Sequence, residues 1–307
     1  MQYGEIRFLA RGEEPILPAW TKLLPAAWRE RYIEKYRPTR LERAQGHLIG
    51  ILQTAREGMR SAIWRKNAAA LLEQMRQEGV GIVIPPAEGE LPRDILPFAE
   101  GRSLAAVFAF AGAREALRRQ GKEPAACSYL IAGGEPNIWR RTLDAMGNEV
   151  NHLSIFTAEP QAAEEIAEEL YAERGLSVEI FSSPKNPAFG RADAILSCGM
   201  EQRAYEHILK QGCFWLDLAG NRPALRRILQ NRPDIAAAEG FFFRVGDAQL
   251  EGRFAEAEAY LRCNAFRESF GAEDAVAGLY PLLKDEGFAV AGFSAFGRRV
   301  KIRKSQG

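Results

Sequence analysis

The stretch SYLIAGGEPNIWRRTL, Ser128 to Leu143, decides how this chain is read. An apolar strand runs into Gly133 and Gly134, and a helical segment follows. That order, strand then glycine turn then helix, is the one with which α/β proteins cradle a diphosphate. Yet the loop places Pro136 and Trp139 where such a turn wants glycine.

Working outward, the texture after Lys122-Glu123-Pro124 is strict alternation. HLSIFT is a strand. Pro160 opens a helix with Glu164 and Glu165 in its early turns, and Gly175 closes it. SVEIFSS, ADAILSCG and CFWLDLAG are strands, PALRRILQN is a helix, and GFFFRVG is a further strand. Strands alternating with helices at this spacing predict a doubly wound, parallel Rossmann-type sheet over residues 125–250. Upstream, AIWRKNAAALLEQMRQEG is helical, with Ile63, Ala70, Leu71 and Met75 on one side, and VGIVIPP is a buried strand. A second helix covers SLAAVFAFAGAREALRRQG. Beyond Phe254 the chain reads as helices, AEAEAYLRCNAFRESF and EDAVAGLYPLLKDEG, before the closing FAVAGFSAFGRRVKIRKSQG. A single Rossmann unit has no need of this tail. The expected organisation is therefore a second, discontinuous α/β domain from residues 1–124 plus 251–307.

The bulk numbers exclude several classes. The 307 residues carry 41 Lys+Arg against 40 Asp+Glu, so no global field recruits nucleic acid or a membrane. RERYIEKYRPTR is locally basic with Tyr32 and Tyr36 interleaved; a solvated helix ending before Pro38 is the plainer reading than a nucleic-acid face. The Arg298, Arg299, Lys301, Arg303 and Lys304 cluster reads as a solvated terminus. No apolar run spans a bilayer and no signal core opens the chain, so a cytoplasmic location is expected. Cys127, Cys198, Cys213 and Cys263 are scattered, form no C-x-x-C pair and are read as reduced, buried thiols without a metal.

The loop sets the chemistry. Gly133 serves the turn and Gly134 adds freedom, but Pro136 removes an N–H where a phosphate would need one. Trp139 puts an indole at the place of the third glycine. Asn137 and Ile138 still offer amides, so an anion site at the helix start survives in part. The next strand ends at Thr157, which offers the ribose a hydroxyl in place of an acid, and Glu159 lies two residues late. NAD and NADP therefore both stay open as cofactors. Cys198 and Asp217 lie at strand tips where open sheets place ligands; the plainer readings are a small buried residue and a turn cap. His47 and Lys66, the latter beside Asn67, are the remaining weak catalytic candidates, and His152 and His207 carry no constellation.

Several stretches resemble the shikimate-dehydrogenase-like oxidoreductases that include the long-chain acyl-(acyl carrier protein) reductases. They are GHLIGILQTAREGM, WRKNAAALLEQMRQEGVGIVIPP, AEGRSLAAVFAF with Gly101 and Ser103, ADAILSCG, WLDLAG, FAEAEAYL, ESF and DEGFAVAG, together spanning most of residues 46–293. Pro85-Pro86-Ala87-Glu88 replaces the family's turn after the strand. The resemblance implies an NADPH-dependent reductase that forms a thioester on a cysteine directly before the FAEA-like motif. Here that position is Arg253, whose guanidinium stays protonated and cannot attack. Cys263 lies about three helical turns further on.

Two readings follow from the sequence. One is a degenerate Rossmann relative, a pseudoenzyme that senses a ligand or binds a partner. The other is an NAD(P)-dependent oxidoreductase reducing a carbonyl in an interdomain cleft without a cysteine nucleophile. Both expect a small-molecule or protein ligand and no nucleic acid, and both leave homo-oligomerisation open.

Overall fold

The computed structural model describes residues 1–8, 17–36, 39–44, 46–52, 62–86, 91–183, 185–199, 206–270 and 278–304. The QTAREGM segment after Leu52, Ala87-Glu88 and the EDAV segment lie outside the described residues. The chain divides into two compact units. The first is Met1–Glu100 with Glu256–Asn264; the second is Gly101–Ala255 with Ala265–Gly307.

The first unit holds β1 (Gln2–Phe8), α1 (Ala26–Tyr36), β2 (Thr39–Ala44), β3 (His47–Leu52), α2 (Ala62–Gln77) and β4 (Val80–Ile84). Its sheet runs β2-β3-β1-β4, with β1 parallel to β3 and β4 and β2 antiparallel to β3. Strands β1 and β2 carry charged residues at close spacing, which hides their alternation in the sequence. Helix α2 buries Ala68, Leu71, Leu72 and Met75, a stripe at helical spacing. Ala70, expected on that side, is exposed. The strand glycines Gly4 and Gly50 bring the helix close: a Cβ on either would meet Met75 at 2.2 and 3.0 Å.

The second unit opens with α3 (Arg102–Val107) and α4 (Ala109–Arg119), one helix in the sequence reading but broken at Phe108, whose ψ is 8°. Then come β5 (Ser128–Gly133), α5 (Pro136–Leu143), β6 (His152–Phe156), α6 (Pro160–Arg174), β7 (Val178–Phe181), α7 (Ala188–Arg191), β8 (Ala194–Gly199), β9 (Phe214–Asp217), α8 (Arg222–Asn231) and β10 (Ala236–Ala238). Their sheet runs β10-β9-β8-β5-β6-β7, and every neighbouring pair is parallel. This is the doubly wound order in which the direction of winding reverses beside the first strand. Strand β5 is buried along Tyr129 to Ala132, as expected of a strand covered on both faces. At its start Asp193 ties three segments together, accepting from Lys122 Nζ (3.0 Å), Lys210 Nζ (2.8 Å) and the Ser128 amide (3.2 Å).

The sixth strand differs from the sequence reading. It is the short AAA of β10, and GFFFRVG is β11 (Gly240–Val245) of a separate antiparallel sheet. That sheet runs β12-β11-β13-β14, with β12 Ala248–Glu251, β13 Phe288–Ala295 and β14 Arg298–Val300. Its phenylalanines explain the difference, because they need an apolar layer of their own. Phe241 and Phe243 pack against Phe293 and Phe108. Helix α4 comes so close that a Cβ on Gly112 would sit 2.3 Å from the Phe241 ring. Between β12 and β13 run α9 (Gly252–Arg262), α10 (Asn264–Glu268) and α11 (Leu279–Asp285). The closing strands belong to the second unit, β13 pairing with β11 and β14 with β13, where the sequence reading returned them to the N-terminal region. Among the described residues no helix is long and apolar enough to cross a membrane.

Candidate functional site

The carboxyl edge of the parallel sheet, where open α/β sheets bind ligands, gathers the ends of β5, β6, β8 and β9. Strand β5 leaves the sheet at Gly133 and turns at Gly134, with φ of 71° and 87°. Gly134 lies against β8. A Cβ there would sit 2.6 Å from Cys198 Cβ and 2.8 Å from the Cys198 carbonyl oxygen. Both the left-handed backbone and the close approach demand glycine. The space beside Gly134 is filled by β8.

Helix α5 begins directly after. Pro136 takes the first helical position and has no N–H. The Ile138 amide donates to the Glu135 carbonyl at 3.0 Å, and the Trp139 amide donates to the same oxygen at 3.2 Å. Ile138, expected to offer its amide to an anion, thus turns it inward. Asn137 supplies the remaining N–H of this first turn. The Glu135 side chain makes no cap.

Trp139 is fully buried. It shares the core-facing side of α5 with Thr142 and Leu143, and its Nε1–H donates to the Gly133 carbonyl at 2.7 Å. The indole therefore props the turn from beneath. The sequence placed it in the path of a diphosphate; the helical stripe takes it under the loop instead.

The neighbouring tips are equally occupied. Thr157 is buried; its amide donates to the Phe181 carbonyl, and its Oγ1 accepts the Glu159 amide at 2.9 Å, closing the turn into α6. Cys198 is buried, and desolvation pushes its thiol up to about 12, with Thr142 and Asp217 as smaller influences of opposite sign. A thiol so held stays protonated and is no nucleophile at neutral pH. Asp217 is only 2% exposed. Its Oδ1 accepts the Ala219 amide at 3.2 Å, which is the turn-capping role weighed for it. Oδ2 finds no hydrogen-bond partner among the described residues. Desolvation, with Glu239 adding repulsion, raises this carboxyl to about 6 against the pull of backbone amides and Arg102. Glu239 itself accepts the Phe296 amide (2.7 Å) and faces Arg222 at 3.7 Å. Arg102 reaches the same corner, its guanidinium lying where a Cβ on Gly220 would be, 2.3 Å away.

Of the three catalytic candidates, Cys198 lies at this edge. His47 and Lys66 belong to the first unit. His47 stacks on Tyr3 (5.0 Å, 15°) and stands 3.8 Å from Glu5; Lys66 is exposed on α2. Arg253 pairs with Glu251 at 3.1 Å. Cys263 is buried after the end of α9, and His152 and His207 are exposed. No group of three metal-ligating side chains occurs among the described residues. The sequence missed Arg102, Arg222 and Glu239, because only the strand order brings their segments beside Asp217. A polar groove of about 970 Å³ opens at the opposite, amino edge of the sheet, lined among others by Asn148, His152, Arg174 and Arg191. It lies away from the glycine turn and from Asp217.

No family model and no curated protein matches the chain. Among solved structures it is similar to the iminosuccinate reductase of Paracoccus denitrificans in complex with NAD+, at 16% identity and a TM-score of 0.30, over 38% of this chain and 36% of that one. A second likeness is to the Δ1-pyrroline-2-carboxylate reductase of Thermococcus litoralis in complex with NADH and L-proline, at 14% identity and a TM-score of 0.29, over 42% and 41%. A third is to the aspartate transcarbamoylase of Trypanosoma cruzi in complex with carbamoyl aspartate and phosphate, at 9% identity and a TM-score of 0.38, over 77% of each chain. The chain thus spans well under half the length of the two reductases.

Proposed function

We propose that this protein is a Rossmann-type relative of NAD(P)-dependent reductases that has given up their chemistry and acts by binding a ligand or partner. One observation carries the reading: the first turn of α5 has almost no donors left to offer. A diphosphate is held at a helix start by several amide N–H groups at once. Here Pro136 has none, and Ile138 spends its own on the Glu135 carbonyl. The thioester route that the family resemblance implies finds Arg253 in the nucleophile's place and a protonated Cys198. A shikimate-dehydrogenase-like or acyl-reductase-like ancestry is part of this proposal.

The alternative, an NADP- or NAD-dependent reductase acting without a cysteine, is favoured by the buried indole. Because Trp139 lies beneath the turn, it does not itself obstruct the front of α5.

Thermal melting with NADH or NADPH separates the two. Nucleotide at a hundredfold excess over its dissociation constant would stabilise the native state by about 2.7 kcal/mol, or roughly 5–10 °C for a unit of this size. The proposal expects no shift in the wild type. A shift of that size with either nucleotide would overturn it. Pro136→Gly restores one donor and is the variant to compare. Trp139→Gly would instead remove a core residue.

A further inference from the structure

Most large apolar side chains of the described residues are covered. Among those that are not, Trp20 (53% exposed), Leu23 (88%), Trp28 (65%) and Tyr36 (58%) fall within 17 consecutive residues of the first unit. They stand on a short 3-10 turn, Ala19–Leu23, and on α1. The rings form a row: Trp20 meets Tyr32 edge-on at 5.1 Å, and Tyr32 meets Tyr36 at 5.1 Å. Trp28, Tyr32 and Tyr36 repeat every four residues, so they share one side of the helix. The same segment carries Lys22, Arg29, Arg31 and Lys35 against Glu30 and Glu34, in a chain whose formal net charge is only +1. Lys35 Nζ sits 5.1 Å from the Tyr36 ring centre.

The patch is held in shape. Pro18 and Pro25 flank the turn, and the Arg29 guanidinium donates to the Lys22 and Leu24 carbonyls at 3.5 and 3.4 Å. Ile33 anchors α1 from beneath. The backbone that presents these side chains is thus already ordered in the free protein.

We propose that this face docks the protein on an anionic bilayer surface. Tryptophan and tyrosine sit at the level of lipid headgroups, where an apolar ring and a polar edge are both solvated. Lysine and arginine beside them are drawn to anionic lipid. Leu23 favours lipid over an acidic protein. A side chain 88% exposed projects from the surface, and a protein partner must supply a fitted pocket for it, whereas hydrocarbon accepts a projection of any shape. The positive charge selects the anionic over the neutral bilayer.

The test is co-sedimentation of the full chain with vesicles of phosphatidylcholine alone and of phosphatidylcholine with phosphatidylglycerol, at low and high salt. The wild type is expected to pellet with the anionic vesicles at low salt and to be released by high salt. Leu23→Ser with Trp28→Ala should weaken binding at least tenfold, and Arg31→Gln with Lys35→Gln roughly thirtyfold. Circular dichroism and melting should be unchanged, since these side chains are exposed. Absence of binding to anionic vesicles, equal binding to neutral ones, or binding that both double variants retain would each overturn the proposal. So would a lipid-free dimer that Leu23→Ser with Trp28→Ala abolishes, because a second copy would then cover the patch.

Discussion

Asp217→Asn should make this protein more stable at neutral pH, and the structure sets how much and where. The carboxyl is buried at the tip of β9, one oxygen on the Ala219 amide and the other without a partner among the described residues. Burial raises it from its ordinary 3.8 to about 6. A raised value means the native state holds this proton more tightly than the unfolded chain does. The stabilising contribution is fully present below about pH 4 and is lost as pH rises to about 6. At pH 7.5 the ionised group then costs about 3 kcal/mol, from a pKa difference of about two at 1.36 kcal/mol each. Asparagine keeps the oxygen that Ala219 uses and carries no charge. The variant should therefore melt roughly 5–10 °C above the wild type at pH 7.5. At pH 4.5 the difference should shrink to about a third. Scanning calorimetry of both proteins at the two pH values measures this. Equal melting temperatures at pH 7.5, or a gap that widens on acidification, would show that the second oxygen is paired, with Arg102, whose charge already pulls this carboxyl down, the cation to consider, and would refute the reasoning.

Three further outcomes are expected. Gly134→Ala adds a Cβ 2.6 Å from Cys198 at a φ of 87°, and should cost about 3 kcal/mol or more from strain and overlap together; a loss under about 1 kcal/mol in urea melts would show that β8 can yield. Trp139→Phe deletes the Nε1–H bond to the Gly133 carbonyl and should destabilise by about 1–3 kcal/mol, read as a lower urea midpoint. Cys198 should resist a thiol reagent in the native protein at pH 8, because its thiol lies near 12, and react only on unfolding; rapid native labelling, located by peptide mapping, would contradict the burial assigned to it.

Five of the six strands of the parallel sheet were legible because each is a short, mostly apolar run closed by a glycine, proline or polar turn; the three-residue β10 was not. SYLIAGG, HLSIFT and ADAILSCG carry that pattern in sequence alone; burial on both faces makes the first and last continuous, while β6 alternates buried with half-buried positions. The N-terminal strands were not legible. QYGEIRF and TRLERA interleave charge with apolar residues, and only pairing with β3 reveals them as strands. GFFFRVG was read as a strand correctly but put in the wrong sheet, since a strand does not announce its partner. Its antiparallel pairing joins it to Phe288–Ala295, more than forty residues away.

The sequence by itself determined the winding alternation, the glycine turn at Gly133 and Gly134, and the missing donor at Pro136. These are properties of single residues and of local period. The tertiary structure alone decided that Trp139 supports the turn from below, that the Ile138 amide turns back to Glu135, and that Asp217 is a starved acid beside Glu239 and Arg102. Each of these depends on which face a side chain takes and on which distant segment meets it. Such meetings are fixed by packing across the sheet, where residues far apart in the chain compete for the same space and the same hydrogen bonds.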